Sequence, residues 1–363
     1  MKRREKASVY LYDNPADVPR FLPFTESRPI GELRYGACLL RERVAPFATV
    51  AGHVAAPYLA HFREPGAPPV SAAPAGDAKL LRSTTVVDLA RGAALTGKCL
   101  DGVWQIIADL VPALRADLEL EQGEREDGRV PKGCTVLGDP ATLLIDEGAI
   151  VEPHVVFDTR GGPIWIQQGA EIRAFCRLGG PLVVGGGTRI VGGHIRESSI
   201  GPMCVVHGEV SNCVFLGYAN KAHDGFLGHS VVGSWVNLGA GTTNSNLKNT
   251  YGPVRLNLGA ERIETGMTFM GALIGDHVKT AIGTMLPTGC VIGTGANLFG
   301  TKRPESLVPP FAWGTDEPGR VVACRMFLQT AERMMQRRDV AFDEAMRAYL
   351  TAVWEHGTGK TCD

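Results

Sequence analysis

The chain has 363 residues, of which 44% are hydrophobic and 21% charged, and its formal net charge is -1. This length allows two domains, and the nearly neutral charge excludes a strong electrostatic attraction to nucleic acid or to an anionic membrane. No apolar run reaches the roughly 18 residues that a membrane span needs, so we expect a cytoplasmic protein that binds neither membrane nor nucleic acid. The nine cysteines form no CxxC pair, which favours reduced thiols over a disulfide framework or a zinc ribbon.

The first segment, residues 1–130, predicts a reduced α/β domain. Residues 84–89 form a short apolar run typical of a strand. A helix is predicted after Asp101, a plausible N-cap, because one helical face then carries Val103, Ile107, Leu110, Val111 and Leu114.

The second segment, residues 131–303, repeats with a period of six. Apolar or small residues recur at Ile145, Val151, Phe157, Ile166, Ile172, Leu178, Val184, Ile190, Ile200, Val206, Val232, Leu238, Ile274, Thr280, Leu286, Ile292 and Leu298. A period of six fits neither a helix nor a half-buried strand, and a β-sandwich would need alternation with a period of two. The repeat instead predicts a triangular β-helix, in which three hexapeptides close one coil and the aliphatic side chains point inward.

The third segment, residues 304–363, predicts a loop followed by a helical tail. Apolar residues fall at helical spacing at Phe327, Ala331, Met334 and Met335, and again at Phe342, Met346, Leu350 and Val353. We expect this tail to pack against the β-helix.

Two polar stretches interrupt the aliphatic repeat, at residues 218–229 and 236–248. A prism wall needs aliphatic side chains, so coils that offer Asn, Lys, His and Asp indicate a functional site. Within the first stretch, His223 carries an imidazole, which titrates near neutral pH and can accept or donate a proton. Asp224 or Glu209 could orient that imidazole, and the turn Gly239-Ala240-Gly241 could expose N–H donors to an oxyanion.

These stretches resemble a known family. The run 221–228, the turn 237–241 and Asn246 resemble the acetyltransferase half of bifunctional N-acetylglucosamine-1-phosphate uridylyltransferase/glucosamine-1-phosphate acetyltransferases. The longer strings 220–230, 246–249, 275–277 and 309–314 resemble a divergent, sugar-nucleotidyltransferase-like branch of that group. The resemblance implies a left-handed parallel β-helix of hexapeptide repeats, a homotrimer with sites between chains, and acetyl-CoA as co-substrate. It also implies N-acetylation of an amino-sugar phosphate, with glucosamine 1-phosphate as the expected acceptor, for the synthesis of UDP-N-acetylglucosamine.

The resemblance assigns residues to roles. In the family, the histidine that matches His223 is the general base and the asparagine that matches Asn237 contacts the sugar. We therefore expect His223 and Asp224 in catalysis, and no metal. The expected substrate contacts are Asn220, Lys221, Phe226, Asn237, Asn246, Lys248, Glu209 and Arg255, and the expected acetyl-CoA contacts are Gly239, Ala240, Gly241 and Ala272. Phe226 and Ser211 stand where the family has a substrate-binding tyrosine and a phosphate-binding lysine, which leaves Lys221, Lys248 and Arg255 as candidate phosphate ligands.

The N-terminal segment matches the nucleotidyltransferase half only in part. Residues 20–29 resemble the tail of its nucleotide loop, and Arg20, Arg28 and Arg34 are candidate nucleotide contacts, although a structural role is equally compatible. The preceding Gly-x-Gly is replaced by Asp13-Asn14-Pro15, and a phosphate-binding lysine by Ile30. Mg²⁺ is expected only if this domain is active.

Three alternatives stay open at this stage. One keeps uridylyl transfer as the surviving activity. A second is a zinc carbonic anhydrase, which needs three histidines that converge across a subunit boundary. The third is a trimeric scaffold without catalysis.

Overall fold

The computed structural model describes residues 6–75, 78–89, 97–123 and 129–362. Its main body is a three-walled parallel β-helix, in which each wall is a stack of short strands paired in parallel from one coil to the next. This architecture, with an α/β segment before it and helices after it, confirms the predicted fold.

The strands of the first wall are Leu143–Ile145, Ile164–Ile166, Leu182–Val184, Ser199–Ile200, Val214–Phe215, Val231–Val232, Leu273–Ile274, Val291–Ile292 and Leu307–Val308. Those of the second wall are Ile150–Val151, Glu171–Ile172, Arg189–Ile190, Val205–Val206, Asn220–Lys221, Asn237–Leu238, Lys279–Thr280 and Asn297–Leu298. The third wall comprises Thr135–Leu137, Val156–Asp158, Arg177–Gly179, His194–Arg196, Glu209–Ser211 and Phe226–Gly228, followed by the pair Thr243–Asn244 and Met285–Leu286.

The residues that recur at every sixth position point into the coil, as predicted. Most of them are completely buried and form one continuous apolar cluster, from Phe157 and Ile172 near its start to Ile292 and Leu298 near its end. Burying a large aliphatic side chain stabilises the folded state by about 1.5–3 kcal/mol, so this column is the main source of stability.

The N-terminal segment covers the outer face of the first wall. It contains a parallel sheet of Ser8–Tyr12, Thr49–Val54, Val70–Ser71 and Lys79–Arg82, the antiparallel pairs Arg34–Tyr35 with Cys38–Leu39 and Thr85–Val87 with Gly97–Cys99, and the helices α1 (Leu40–Val44), α2 (Trp104–Ala108) and α3 (Leu110–Gly123). Helix α2 begins at Trp104 with Val103 as its N-cap, so the prediction of Asp101 in that position is wrong. Outward side chains of the first wall, such as Val183 and Val231, are buried against this segment.

Two helices follow the coil, α4 (Cys324–Gln336) and α5 (Glu344–Thr358), and they pack on the corner between the first and second walls. Phe327 and Leu350 are buried there against Phe311 and Trp235. A disulfide joins Cys324 to Cys362, so the expectation that all thiols are reduced is wrong at this pair. No helix among the described residues is long and apolar enough to cross a membrane.

One excursion leaves the coil between the strands Thr243–Asn244 and Leu273–Ile274. It carries an antiparallel hairpin, Arg255–Leu258 with Glu261–Glu264. Leu256 and Leu258 of this hairpin are buried with Phe21 and Phe24 of the N-terminal segment, so the excursion is fixed to the rest of the molecule.

Candidate functional site

A groove runs across the outer face of the second wall. Its floor is the outward column of that wall, Arg189, Val205, Asn220, Asn237 and Lys279, which are consecutive partners in the parallel ladder. Helix α4 and the residues after it form the roof with Thr330, Met334, Arg337 and Arg338. The cavity between floor and roof has a volume of about 690 Å³.

The two ends of the groove differ in chemistry. At one corner, Tyr218 and Trp235 stack with their ring centroids 4.3 Å apart. At the other corner, the wall is bounded by His223, Gly239 and Ala240. The groove therefore spans one wall of the prism, from an aromatic end to an imidazole.

The groove carries four basic side chains, Arg189, Lys279, Arg337 and Arg338, and no carboxylate lines it. Arg338 donates to the Asn220 side-chain oxygen at 2.6 Å, and Asn220 donates to the Asn237 side-chain oxygen at 3.3 Å. Burial lowers the pKa of Arg338, and the nearby charges of Arg189 and Arg337 lower it further. None of the three arginines has a carboxylate partner in the described part of the chain, so the groove is suited to a polyanionic ligand.

Lys279 is half-buried in the groove floor. Its Nζ donates to the backbone oxygens of Trp235 at 3.2 Å and of His277 at 2.6 Å. Burial lowers its pKa to about 7, because the charged form loses solvation and gains no carboxylate.

His223 lies in the turn between the second and third walls, and its side chain is exposed at the rim of the groove. Asp224, expected to orient it, instead places its carboxylate 3.2 Å from the ring of His207 on the preceding coil. No hydrogen bond links Asp224 to His223 in the described residues. Glu209 and Phe226 are neighbours in register on the outer face of the third wall, around the corner from the groove.

The glycine turn offers one free donor rather than several. The Gly239 N–H donates to Thr280 and the Gly241 N–H to the Asp224 backbone oxygen at 3.0 Å, so both are used inside the coil. The Ala240 N–H has no partner among the described residues, and Ala240 lines the groove. The expected oxyanion donor is therefore Ala240 alone.

Three further expected contacts are buried or paired within the protein. Lys221 is 2% exposed and points into the coil, and Ala272 is completely buried in the core, so neither can contact a ligand on the outside. Arg255 is paired with Glu264 within the hairpin.

Other expected contacts lie outside the groove. The Asn246 side chain is 2.9 Å from the His229 ring beyond the third wall. Lys248 follows in the same excursion, half-buried, so Asn246 and Lys248 do not join His223 in the groove.

The three N-terminal arginines have structural surroundings. Arg28 is 1% exposed and pairs with Glu64 at 2.7 Å and Asp276 at 2.8 Å. Arg34 is also buried, donating to Ser199 Oγ at 3.2 Å and to the Ala37 backbone oxygen, and Arg20 lies over the Trp104 ring. Arg28 and Arg34 are therefore held by partners within the protein, and their contact with a nucleotide stays an untested expectation.

The same region does not fit a Mg²⁺–nucleotide site. Asp17 is paired with Arg82, and Asp13 is buried and accepts from the Ile30 N–H at 3.0 Å. No group of three or more His, Cys, Asp or Glu side chains in the described residues is arranged to hold a metal ion.

Sequence reasoning missed the four basic groove residues, Arg189, Lys279, Arg337 and Arg338. Arg337 and Arg338 belong to no motif, and α4 reaches the groove only through tertiary packing. The period could have identified Lys221 as inward-facing, since it lies six residues after the core residue Phe215 and six before Leu227.

Comparison with known proteins agrees with this architecture. Residues 9–88 match a family described as sugar nucleotidyl transferase. A bifunctional sugar-1-phosphate nucleotidylyltransferase/acetyltransferase of Sulfurisphaera tokodaii is 35% identical over 91 residues, which are 25% of this chain and 23% of that protein. Bifunctional GlmU proteins of Methanococcus aeolicus and Jannaschia sp. are 25% and 28% identical, covering 55% and 58% of this chain and 44% and 46% of theirs.

The chain thus spans less than half the length of each of these relatives. The match at residues 9–88 lies in the N-terminal segment, and the longer matches extend over more than half of the chain. Over these segments the chain is similar to bifunctional sugar-1-phosphate nucleotidylyltransferase/acetyltransferases and to a sugar nucleotidyl transferase family.

Proposed function

We propose that this protein is an acyl-CoA-dependent N-acyltransferase that acetylates an amino-sugar phosphate, with glucosamine 1-phosphate as the first acceptor to test. The observation that carries the proposal is a groove with four basic side chains, no carboxylate, and an exposed imidazole at its rim. Acetylation of such an acceptor would supply UDP-N-acetylglucosamine synthesis in the cytoplasm. A homotrimer, in which a second copy adjoins the open third wall, is part of the same proposal.

The charge of the groove supports acyl-CoA as the donor. Coenzyme A carries several phosphate groups, and Arg189, Arg337 and Arg338 offer planar donors that match phosphate oxygens. With the phosphates at these arginines, the thioester lies toward the corner of His223 and Ala240. Gly239, which also lines this end, has no side chain to obstruct the acyl group.

The acceptor would approach from the third wall. Glu209 and Phe226 lie on the outer face of the third wall, beyond the corner that carries His223, and the Glu209 carboxylate has no ion-pair partner in the described residues. A carboxylate there could bind the hydroxyl groups or the ammonium form of an amino sugar.

The chemistry requires one proton transfer in each direction. His223 accepts a proton from the acceptor amine as its nitrogen attacks the thioester carbon, and the Ala240 N–H donates to the resulting oxyanion. The attack forms the carbon–nitrogen bond. Collapse of the intermediate restores the carbonyl, breaks the carbon–sulfur bond, and releases the thiolate, which takes up the proton held by His223. The products are the N-acetylated sugar phosphate and free coenzyme A.

The test follows thiol release from acetyl-CoA in the presence of glucosamine 1-phosphate. The His223→Ala variant should lose about 10²–10⁴ in kcat, the usual contribution of a general base. His61→Ala, which removes an exposed histidine of the N-terminal segment, serves as the matched control and should keep the wild-type rate. Equal rates for wild type and His223→Ala would remove His223 from the mechanism.

A further inference from the structure

The corner that carries His223 is held by a lysine inside the coil. The inward column of the second wall reads Val151, Ile172, Ile190, Val206, Lys221, Leu238, Thr280 and Leu298. Lys221 is the one ionisable side chain in this column. An unpaired ammonium among aliphatic side chains is costly, and burial lowers its pKa to about 8.

The Lys221 ammonium is satisfied by two backbone carbonyls at the corner. Its Nζ donates to the His223 oxygen at 2.5 Å and to the His207 oxygen at 3.0 Å. His207 occupies the corresponding corner on the preceding coil, so one side chain ties two successive corners together.

A second contact joins the same two corners on the outside. Asp224, directly after His223, places its carboxylate 3.2 Å from His207 Nδ1, within ion-pair distance although this nitrogen forms no hydrogen bond with the described residues. That ring is packed against Gly192, where a Cβ would lie 2.5 Å from its Nε2 atom. Gly192 therefore covers the Nε2 side of the His207 ring, and His207 cannot approach a substrate through Nε2.

We propose that Lys221 and the His207–Asp224 pair form a clamp that positions His223, an inference that rests on the proposed function. Lys221 holds the backbone of the turn from inside the coil, and His207 holds Asp224 from outside. All three are positioning residues, since none of their side chains lines the groove. A flexible turn would let the imidazole leave the thioester end, and a displacement of about 1 Å can cost about 10²-fold in rate.

Two variants remove the two halves of the clamp. Lys221→Met retains the volume of the buried chain and removes its donors, whereas Asp224→Ala alters only an exposed side chain and does not endanger folding. Thr188→Val is the matched control, because Thr188 is a buried side chain that bonds the backbone at another corner of the coil. Its hydroxyl donates to the Gly201 oxygen at 2.7 Å and accepts from the Cys204 N–H. Hydrogen–deuterium exchange of residues 222–226 and the kinetic constants for acetyl-CoA are measured for each.

We expect Lys221→Met and Asp224→Ala to accelerate exchange at residues 222–226 and to lower kcat by about 10-fold to 100-fold, with KM for acetyl-CoA unchanged. Thr188→Val should change neither quantity. Unchanged exchange in both clamp variants, or an equal effect of Thr188→Val, would overturn the clamp. If the wild-type protein has no acetyltransferase activity, the exchange data still show whether the clamp holds residues 222–226, and only the proposed function fails.

Discussion

Replacing Arg28 by methionine separates a structural role from nucleotide binding. The Arg28 guanidinium donates to Asp276 at 2.9 Å, to Glu64 at 2.7 and 3.2 Å, and to Ser234 Oγ at 2.8 Å. Removing one member of a buried ion pair costs about 3–5 kcal/mol, because the remaining charge stays buried without its partner.

Two features place the expected loss of unfolding free energy near the lower end of that range. Asp276 keeps hydrogen bonds from Ser27 Oγ at 2.7 Å and from the Ser234 N–H at 2.7 Å, and the Glu64 side chain is 21% exposed and can be hydrated. We therefore expect Arg28→Met to lower the free energy of unfolding by about 3 kcal/mol.

The assay is urea unfolding followed by tryptophan fluorescence, with binding of UTP measured by calorimetry on the same samples. The control is Arg160→Met, which removes an exposed arginine paired with Asp158 and should leave the unfolding midpoint unchanged. A variant that unfolds at the wild-type urea concentration but loses UTP binding would refute the reasoning.

Three further outcomes are expected. Arg338→Met should raise KM for acetyl-CoA by about 10-fold through loss of a charge-assisted contact, whereas Arg333→Met, on the exposed face of helix α4, should leave it unchanged. Because the pKa of Lys279 is about 7, its charge is present at pH 6 and lost by pH 8; KM for acetyl-CoA should rise over that interval, and Lys279→Gln should remove the rise. Thiol titration of the denatured, unreduced protein should detect seven of the nine cysteines, since Cys324 and Cys362 are joined.

Each of these outcomes has a result that would contradict it. An equal KM for Arg338→Met and wild type would mean that the arginines do not contact the donor. A pH dependence that persists in Lys279→Gln would assign it to another group. Nine reactive thiols would show that the disulfide does not form in the purified protein.

The fold was predictable because the repeat is local. Residues six apart, such as Ile166 and Ile172, must share an orientation in a triangular coil, so the inward column follows from spacing alone. The same spacing places Lys221 and Asn244 inside, and the structure finds both buried, with Asn244 bonded to Gly228 and Ser230.

The roof of the groove was not predictable. Arg337 and Arg338 meet Asn220 and Arg189 only because helix α4 packs across a wall whose sequence lies more than 100 residues earlier. The surroundings of Arg28 were missed for the same reason, since its partner Asp276 lies on a distant coil. Local motifs identified His223 and Asn237, whereas the residues that surround them in the groove are known only from the tertiary structure.

The outward column of the second wall has a fixed pitch. Arg189, Val205, Asn220, Asn237 and Lys279 follow one another on adjacent strands, which lie about 4.8 Å apart in a parallel sheet. The column therefore presents one outward side chain per strand, at regular intervals along the prism. Replacing one of these outward side chains would therefore change the charge at a single position along the prism without disturbing the buried interior.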